Sequence, residues 1–442
     1  MSEEGLIFVA DAGGALRGRL QVPGDKSISH RAIMLGSLAD GVTEISGFLE
    51  GEDSLATLQA FRSMGVRIEG PEQGRVIIHG VGVDGLQAPR QRIDLGNSGT
   101  SMRLLAGLLA AQPFSVVLSG DASLSQRPMR RVTRPLTAMG ATIETTSEGT
   151  PPLEIQGGRV LHGIDYVLPV ASAQIKSALL LAGLYARGQT CVTEPALTRD
   201  HTERMLAAFA YPVSREQNRI CIIGGGRLRA TTIQVPADIS SAAFFLAGAA
   251  MTPGSELSLT RVGINPTRVG VINILRQMGA VITISNEHLA GGEPVADIFV
   301  TGKHLHGITI PEDQVSLAID EFPALFVAAA CASGTTVLSG AAELRVKESD
   351  RIQVMAEGLQ QLGIEARSTS DGMVIRGGHL TGGTVHSHGD HRIAMAFAMA
   401  ALCADGPVTI HDCANVATSF PNFVALAAET GLSIHAEYGG HG

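Results

Sequence analysis

The sequence lacks any long apolar run, although hydrophobic residues make up 45% of its 442 positions. No stretch approaches the roughly 20 uninterrupted apolar residues of a membrane-spanning helix, so no membrane span is predicted. The chain also lacks an excess of positive charge, and its net charge of −9 makes nucleic acid an unexpected partner. Met1-Ser-Glu-Glu is acidic and precedes a predicted strand, unlike a secretory signal or an arginine-rich transit peptide. We therefore expect a cytoplasmic protein.

Cysteine is scarce and shows no metal-binding spacing. The five cysteines stand in apolar stretches without a Cys-x-x-Cys pair, at positions 191, 221, 331, 403 and 413. This pattern favours buried free thiols over disulfides or zinc ligands.

The sequence contains six repeats of one predicted structural unit. Each copy has a helix of small apolar residues, a short β-branched run, and a second helix that usually stops at a glycine. Such a unit is too long for helical or leucine-rich solenoid repeats and too short to be a domain. The pattern predicts an α/β protein with units at residues 28–66, 99–141, 172–211, 239–280, 320–364 and 390–432.

Two similar junctions divide these units into three and three. Leu20-Gln-Val-Pro-Gly-Asp and Ile233-Gln-Val-Pro-Ala-Asp are extended runs, each broken by proline and followed by an aspartate that can start a helix. If both are chain crossovers, residues 25–237 form one lobe. Residues 1–24 and 238–442 then form the other, and each lobe is large enough for its own core.

Several predicted helix starts place a cation beside a small, hydroxyl-bearing or acidic residue. A helix N-terminus offers unpaired N–H groups and partial positive charge, which favour phosphate or carboxylate. One such start is equally well explained by capping beside a solvated cation, but four together favour a site for a polyanionic small molecule. They are Lys26-Ser27 with Arg31, Gly99-Thr100 with Arg103, Ser172-Ala173-Gln174 with Lys176, and Asp390-His391-Arg392.

Further cations lie at Arg127, at Arg199 and in the run from Arg345 to Arg351. Lys347 and Arg351 are four residues apart, so on a helix they would share a face and could bind one anion. Glu348 between them is either a salt-bridge partner or an acid or base.

Asp320-Glu321 interrupts an apolar stretch. One interpretation is an N-cap of the fifth unit's first helix, and another is a general base facing the cations. Both can hold at once.

Three motif matches are set aside. Gly80-Val-Gly82-Val-Asp-Gly85 fits a dinucleotide pattern but opens no helix, and Gly24-Asp25-Lys26-Ser27 lacks the second glycine of a P-loop. The run His386-Ser-His388-Gly-Asp390-His391 has metal-binding residue types, but Arg392 beside it repels a cation. We therefore expect no metal at this run, and the family resemblance carried by the motifs that follow implies no metal and no organic cofactor.

Five motifs together resemble the EPSP synthase (3-phosphoshikimate 1-carboxyvinyltransferase) family over almost the whole chain. They are residues 23–31 (PGDKSISHR), 95–100 (LGNSGT), 127–129 (RPM), 345–351 (RVKESDR) and 390–392 (DHR). The resemblance implies a two-lobed inside-out α/β barrel of six units. It also implies transfer of the enolpyruvyl group of phosphoenolpyruvate to the 5-hydroxyl of 3-phosphoshikimate through a tetrahedral intermediate, with release of phosphate. We expect a monomer.

The resemblance also implies roles for individual residues. Asp320 would be the base toward the 5-hydroxyl, with Glu348 and Lys26 as proton carriers on the phosphoenolpyruvate side. The 3-phosphoshikimate ligands would be Lys26, Ser27, Arg31, Ser172, Ala173, Gln174, Arg199, Asp320 and Lys347. The phosphoenolpyruvate ligands would be Lys26, Gly99, Arg127, Gln174, Arg351 and Arg392.

The chain departs from many family members near its C-terminus. A lysine that they carry before Phe-Pro is absent from Ala417-Thr418-Ser419-Phe420-Pro421, so that contact is lost or replaced. Together with Ser172-Ala173-Gln174 and the segment around Arg199, this resembles a divergent bacterial subgroup that includes glyphosate-tolerant members. Tolerance there is associated with alanine at the position of Gly99, so the retained glycine predicts glyphosate sensitivity. Leu104 stands where many members have proline.

Two alternatives remain open. UDP-N-acetylglucosamine enolpyruvyl transferases share the six-unit fold but have Lys-Asn where this chain has Lys26-Ser27, and a loop cysteine that residues 121–131 lack. A non-catalytic repeat scaffold would explain the periodicity without explaining the cations at helix starts.

Overall fold

The computed structural model describes residues 5–438, so the acidic start Met1–Glu4 lies outside the described residues. The chain folds into two compact units. The N-terminal unit comprises Gly24–Val235 with Ala290–Glu293, and the C-terminal unit comprises the described residues up to Pro23, Pro236–Leu289 and those from Pro294 onward. The boundaries at Pro23 and Val235 fall within the two proline-containing junctions.

The described elements of the first half follow a regular order. They are β1 (Leu6–Ala10), β2 (Arg17–Leu20), α1 (Lys26–Leu38), β3 (Ala39–Ser46), α2 (Glu52–Ser63), β4 (Arg67–Glu72), β5 (Arg75–Val81), β6 (Ile93–Asp94), α3 (Gly99–Leu109), β7 (Val116–Ser119), α4 (Arg130–Ala138), β8 (Ile143–Glu144), β9 (Leu153–Ile155), β10 (Asp165–Val167), α5 (Ala173–Gly183), β11 (Gln189–Thr193), α6 (His201–Ala208), β12 (Ser214–Glu216), β13 (Arg219–Ile223), β14 (Leu228–Arg229) and β15 (Thr232–Gln234).

The second half repeats the order. Its described elements are α7 (Ile239–Met251), β16 (Glu256–Gly263), α8 (Gly270–Gln277), β17 (Val281–Ala290), β18 (Glu293–Thr301), α9 (Glu312–Val315), α10 (Phe322–Ala330), β19 (Thr335–Leu338), α11 (Arg351–Gln361), β20 (Glu365–Ser368), β21 (Met373–Arg376), β22 (Gly383–His386), α12 (His391–Ala400), β23 (Val408–His411), α13 (Phe423–Thr430) and β24 (Ile434–Tyr438). Short 3₁₀ helices add Leu124–Gln126, Ala342–Val346, Ala401–Cys403 and Ala414–Thr418.

All six predicted repeats are present as helix, strand and second helix. The first helices are α1, α3 and α5 in the N-terminal unit and α7, α10 and α12 in the C-terminal unit. Every residue of α7, α10 and α12 is buried, as a helix at the centre of a unit requires. The second helices are buried along one face only, as α2 shows with its buried residues Asp53, Ser54, Thr57, Leu58, Ala60 and Phe61. Each unit has its own hydrophobic core.

Each repeat builds one small sheet. In five of the six sheets of the described residues, the strand after the first helix pairs in parallel on one side and antiparallel on the other, and in the sheet of β3 the parallel side is shared by β14 and β15. In the sixth, β19 pairs antiparallel with β21, and a bridge from Thr309 to Val337 supplies the parallel contact. Strands close to the junctions extend two of these sheets: β2 pairs with β16, while β14 and β15 pair with β3.

Glycines with positive φ end most of the second helices, at Gly65, Gly140, Gly279, Gly363 and Gly431. The third repeat is different because Ala210 adopts φ 59° at the equivalent place after α6. A side chain in the left-handed region costs about 1–2 kcal/mol, so this helix end is strained relative to the other five.

The prediction of five free thiols is wrong for two of them. Cys191 on β11 and Cys221 on β13 form a disulfide, with their Cα atoms 4.1 Å apart. The register of the antiparallel pair places the two residues directly opposite each other. A separation of 30 residues gave no signal of that pairing. Cys331, Cys403 and Cys413 are free.

No helix among residues 5–438 is long and apolar enough to cross a membrane.

Candidate active site

The start of α1 carries Lys26, Ser27 and Arg31. Asp25 caps this helix by accepting a hydrogen bond from the Ile28 amide at 2.9 Å, which confirms the predicted helix start. The ammonium of Lys26 lies 3.0 Å from the Asp53 carboxylate on α2. The cap therefore places a paired lysine and a serine in the first turn, where N–H groups are unpaired within the helix.

Arg31 lies one turn further along α1 and is buried. Its guanidinium donates to the Ser27 carbonyl at 2.9 Å, to Ser177 Oγ at 2.8 Å and to Thr202 Oγ1 at 2.7 Å. The pKa of Arg31 is lowered to about 10, chiefly by burial and also by the nearby positive charge of Arg199, although the Glu203 carboxylate raises it. Arg31 and Arg199 therefore lie close enough to repel each other.

The starts of α3 and α5 meet through Arg103 and Gln174. Arg103 donates to Gln174 Oε1 at 2.8 Å and to the Gly99 carbonyl at 3.3 Å, and Gln174 Nε2 donates to Thr100 Oγ1 at 3.0 Å. Ser172 caps α5 by accepting from the Ile175 amide at 3.5 Å, so Ala173 begins the helix. Two helix starts predicted separately thus form one polar surface.

Arg127 completes this surface beside Gly99. Its guanidinium donates to Asn97 Oδ1 at 2.6 Å and to Ser123 Oγ at 3.3 Å. A Cβ atom at Gly99 would lie 2.9 Å from Nη1 of both Arg103 and Arg127. Glycine at position 99 therefore leaves the space that the two guanidinium groups occupy.

A buried polar network connects α1 with α2 and α3. His30 Nδ1 lies 2.7 Å from Thr57 Oγ1 and 3.3 Å from Ser101 Oγ, and these two hydroxyls are 2.6 Å apart. Burial lowers the pKa of His30 to about 3, and the charges of Lys26 and Arg31 lower it too. His30 is therefore neutral and holds the helix starts in place without adding charge.

Lys176 does not join the predicted anion site. Its side chain is completely buried and forms ion pairs with Glu194 at 3.0 Å and Glu203 at 2.7 Å. The first cluster therefore consists of Lys26, Ser27, Arg31, Gly99, Arg103, Arg127, Ser172, Gln174 and Arg199.

The C-terminal unit gathers three cations around Asp320. The Asp320 carboxylate lies 3.5 Å from Lys347 Nζ, 3.4 Å from Arg351 Nη1 and 3.9 Å from Arg392 Nη2. Arg392 also donates to the Asp320 carbonyl at 3.1 Å. The Asp320 side chain keeps 13% of its surface exposed, so a ligand can reach it.

Arg351 is paired with three carboxylates, those of Asp320, Glu348 and Asp390. It donates from Nε to Asp390 at 2.8 Å and from Nη2 to Glu348 at 2.6 Å. Burial alone would lower the pKa of Arg351, but Asp390, Glu348 and Asp320 outweigh it and raise that pKa. Its permanent charge therefore anchors the second cluster, which consists of Asp320, Lys347, Glu348, Arg351, Asp390 and Arg392.

One local expectation for this cluster is wrong, and another holds only in position. Lys347 and Arg351 do not share a helix face, because Lys347 follows the 3₁₀ helix Ala342–Val346 and Arg351 begins α11. They converge only because both contact Asp320. The N-cap interpretation of Asp320-Glu321 holds in position, because Glu321 is the N-cap residue of α10, but Glu321 forms no side-chain capping bond and is buried against Ser240 and Arg268.

Thr418 occupies the region where many family members carry lysine. It is buried, and its hydroxyl donates to the Asn415 carbonyl at 2.7 Å. Asn415 in turn donates to the Gly389 carbonyl at 2.7 Å. Position 418 therefore supports the loop before Asp390 and supplies no cation.

Sequence reasoning missed the partners that fix the site residues. Asp53 pairs Lys26, Asn97 orients Arg127, and Arg103 links Gly99 to Gln174. Of these partners, only Arg103 was named from the sequence, as the cation of its helix start, and its bond to Gln174 was not predicted. Within residues 5–438 no group of three His, Cys, Asp or Glu side chains could hold a metal ion. Asp390, from the histidine-rich run, binds Arg351 instead.

Comparisons with known proteins give one consistent result. A family model described as EPSP synthase (3-phosphoshikimate 1-carboxyvinyltransferase) matches residues 10–426. The chain is 68% identical over 434 residues to the 3-phosphoshikimate 1-carboxyvinyltransferase of Nitrosococcus oceani, which covers 98% of both chains. It is also 68% identical to that of Methylococcus capsulatus over 434 residues, or 98% of this chain and 99% of the relative.

A solved structure of EPSP synthase from Acinetobacter baumannii superposes with a TM-score of 0.88 at 60% identity. The match covers 98% of this chain and all of that one, at 100%. The predicted fold class, a two-lobed inside-out α/β barrel of six repeats, is confirmed by this likeness together with the six sheets.

Proposed function

The chain belongs to the EPSP synthase family, and from that premise we propose how its two clusters bind and convert the substrates. Its function is the transfer of the enolpyruvyl group of phosphoenolpyruvate to 3-phosphoshikimate, a step of the shikimate pathway toward aromatic amino acids. The products are 5-enolpyruvylshikimate 3-phosphate and inorganic phosphate. The residue roles below are proposals.

Substrate charge explains why an acidic protein gathers cations. Both substrates are phosphorylated carboxylates that repel each other, and each charge-assisted hydrogen bond contributes roughly 1.5–3 kcal/mol. We propose that 3-phosphoshikimate is bound by Lys26, Ser27, Arg31, Ser172, Ala173, Gln174, Arg199, Asp320 and Lys347. Phosphoenolpyruvate is bound by Lys26, Gly99, Arg127, Gln174, Arg351 and Arg392.

Asp320 is the proposed general base. It is the partly exposed carboxylate of the second cluster with cations near both oxygens, whereas Asp390 is fully buried against Arg351. This arrangement supports a carboxylate that accepts the proton of the attacking 5-hydroxyl.

Glu348 and Lys26 are the proposed proton carriers for the methylene carbon of phosphoenolpyruvate. Glu348 pairs with Arg351 through one oxygen and keeps 22% of its side chain exposed. The arginines would stabilise the charge that develops on the tetrahedral intermediate, an effect typically worth about 2.7–4 kcal/mol for a well-placed donor.

The two compact units are proposed to be the functional lobes, residues 25–237 and residues 1–24 with 238–442, each supplying one cluster. A monomer in the cytoplasm is the proposed working form, because one chain supplies every residue named above. Light scattering of the purified protein would measure its mass, and a stable dimer would contradict this assignment.

Phosphate release tests the function and the base together. Purified protein is given phosphoenolpyruvate with and without 3-phosphoshikimate, in chelator, beside Asp320→Ala and the exposed control Asp313→Ala. We expect release that requires 3-phosphoshikimate and falls by about 10²–10⁴ only in Asp320→Ala.

Release that persists unchanged in Asp320→Ala would remove Asp320 as the base. Absence of release from folded wild-type protein would overturn the substrate assignment, and UDP-N-acetylglucosamine would then be the acceptor to try.

A further inference from the structure

Three charged side chains lie buried behind Arg31 in the N-terminal unit. Lys176 on α5 is fully buried and pairs with Glu194 at 3.0 Å and with Glu203 on α6 at 2.7 Å. The Thr198 hydroxyl also donates to Glu194. One lysine between two carboxylates leaves an excess of one negative charge if all three are ionised. We call these three residues the buried triad.

The triad is attached to Arg31 through its chain neighbours. Ser177 follows Lys176 and Thr202 precedes Glu203, and both hydroxyls accept hydrogen bonds from the Arg31 guanidinium. The two hydroxyls also bond to each other at 2.7 Å. The triad and Arg31 are thus separated by a single layer of neutral groups.

Arg31 has no carboxylate of its own. Its hydrogen bonds within the described chain go to the Ser27 carbonyl and the two hydroxyls, all neutral acceptors. The charge of Glu203 is nevertheless the strongest influence that raises the pKa of Arg31, ahead of Asp25 and Glu293. Asp25 caps α1, and Glu293 pairs with His201 at 2.7 Å. The excess negative charge of the triad therefore balances Arg31 across that layer.

Glu203 is expected to destabilise the folded protein at this position. Among the described residues, neither of its oxygens has a hydrogen bond of normal geometry, although Lys176 lies within ion-pair distance. Buried charges that lack hydrogen bonds destabilise a fold, and a neutral side chain of the same shape would avoid that cost. A structural role alone gives no reason for a second carboxylate on one lysine.

We propose that Glu203 is a positioning residue that balances the charge of Arg31 in the free enzyme and so limits the affinity of the first cluster for 3-phosphoshikimate. The proposal rests on the proposed function, because it takes 3-phosphoshikimate as the anion. While the site is empty, Glu203 offsets the repulsion between Arg31 and Arg199. When the ligand brings its own negative charge, the same carboxylate opposes binding and favours release.

Neutralising Glu203 should therefore tighten the binding of 3-phosphoshikimate. In Glu203→Gln, Lys176 and Glu194 form a neutral pair, and Arg31 loses the strongest of the negative charges that act on it until the anion arrives. We expect 3-phosphoshikimate to bind several-fold more tightly, toward the tenfold that about 1.4 kcal/mol produces. The increase in melting temperature on adding 3-phosphoshikimate should be larger than in the wild type.

Lys176→Met should have the opposite sign in binding. It leaves both carboxylates opposite Arg31, so 3-phosphoshikimate should bind more weakly. Damage to packing would weaken binding in both variants, whereas the charge effect moves them in opposite directions. Glu203→Asp retains the charge and should restore affinity near that of the wild type even where stability is reduced.

Two measurements on the full chain test the role of Glu203. Titration calorimetry gives the affinity for 3-phosphoshikimate, and thermal unfolding with and without this ligand gives the change in melting temperature. Wild-type protein that does not bind would refute the proposed function before the variants are considered. Binding by the wild type with unchanged or weaker affinity in folded Glu203→Gln would refute the role of Glu203. If Glu203→Gln does not fold, unchanged or tighter binding in Lys176→Met would refute it instead.

Discussion

Gly99→Ala is the substitution whose effect the structure predicts most directly. The new methyl group would lie 2.9 Å from Nη1 of Arg103 and 2.9 Å from Nη1 of Arg127. Ordinary carbon contacts are about 3.5–4.0 Å, so both guanidinium groups must retreat by at least roughly half an ångström. Both are the ends of flexible side chains, so the fold should survive.

The retreat strains hydrogen bonds that orient the site. Arg103 is held at 2.8 Å by Gln174, and Arg127 at 2.6 Å by Asn97. Complete loss of one charge-assisted hydrogen bond costs about 1.5–3 kcal/mol, and a partial displacement should cost near the lower limit. At about 1.36 kcal/mol for each factor of ten, we expect the KM for phosphoenolpyruvate to rise about tenfold.

Steady-state kinetics with each substrate varied in turn measures this effect. The KM for 3-phosphoshikimate should change less, because Gly99 and Arg127 are proposed phosphoenolpyruvate contacts and only Gln174, held by Arg103, is shared with 3-phosphoshikimate. Glyphosate should inhibit the wild type and inhibit Gly99→Ala more weakly. Gly378→Ala is a matched control, since its methyl group would meet only Ile364, at 3.7 Å. An unchanged KM for phosphoenolpyruvate in Gly99→Ala would show that the arginines yield without cost, and the reasoning would fail.

Two further predictions concern stability. Ala210→Gly should raise the free energy of unfolding by about 0.5–1 kcal/mol, because it relieves the positive φ after α6, whereas Gly140→Ala should lower it; equal denaturation midpoints for Ala210→Gly and wild type would contradict this. The pKa of His30 is lowered to about 3 in the folded protein. Below about pH 6.5 this imidazole is protonated in the unfolded chain but not in the folded one, so the free energy of unfolding decreases as the pH is lowered. Between pH 6 and 4.5 the wild type should lose about 2 kcal/mol more than His30→Gln, as measured by urea unfolding. Parallel pH profiles would show that His30 is not the group responsible.

Local sequence patterns were enough to predict the repeats. The alternation of an apolar helix, a β-branched run and a helix ended by glycine depends on hydrophobic period and backbone preference, which neighbouring residues carry. Asp25 and Ser172 were readable as helix starts for the same reason, since a cap bonds to its own first turn.

The partners of charged residues could not be predicted in this way. Lys176 has the same kind of sequence context as Lys26, yet one is buried in an ion triad and the other lies at a helix start beside Asp53. The spacing of Lys347 and Arg351 suggested a shared helix face. The residues between them are not helical, however, and the two cations meet only at Asp320.

The sequence alone determined the six repeats, the helix starts and the residue types that a polyanionic site needs, because each depends on interactions within a few residues. Only the tertiary structure decided which charges meet. Arg31 bonds to residues 146 and 171 positions away, and Cys191 pairs with a cysteine 30 positions away. Such contacts depend on how strands register and helices pack, and a side chain carries no local mark of the distant partner that packing brings to it.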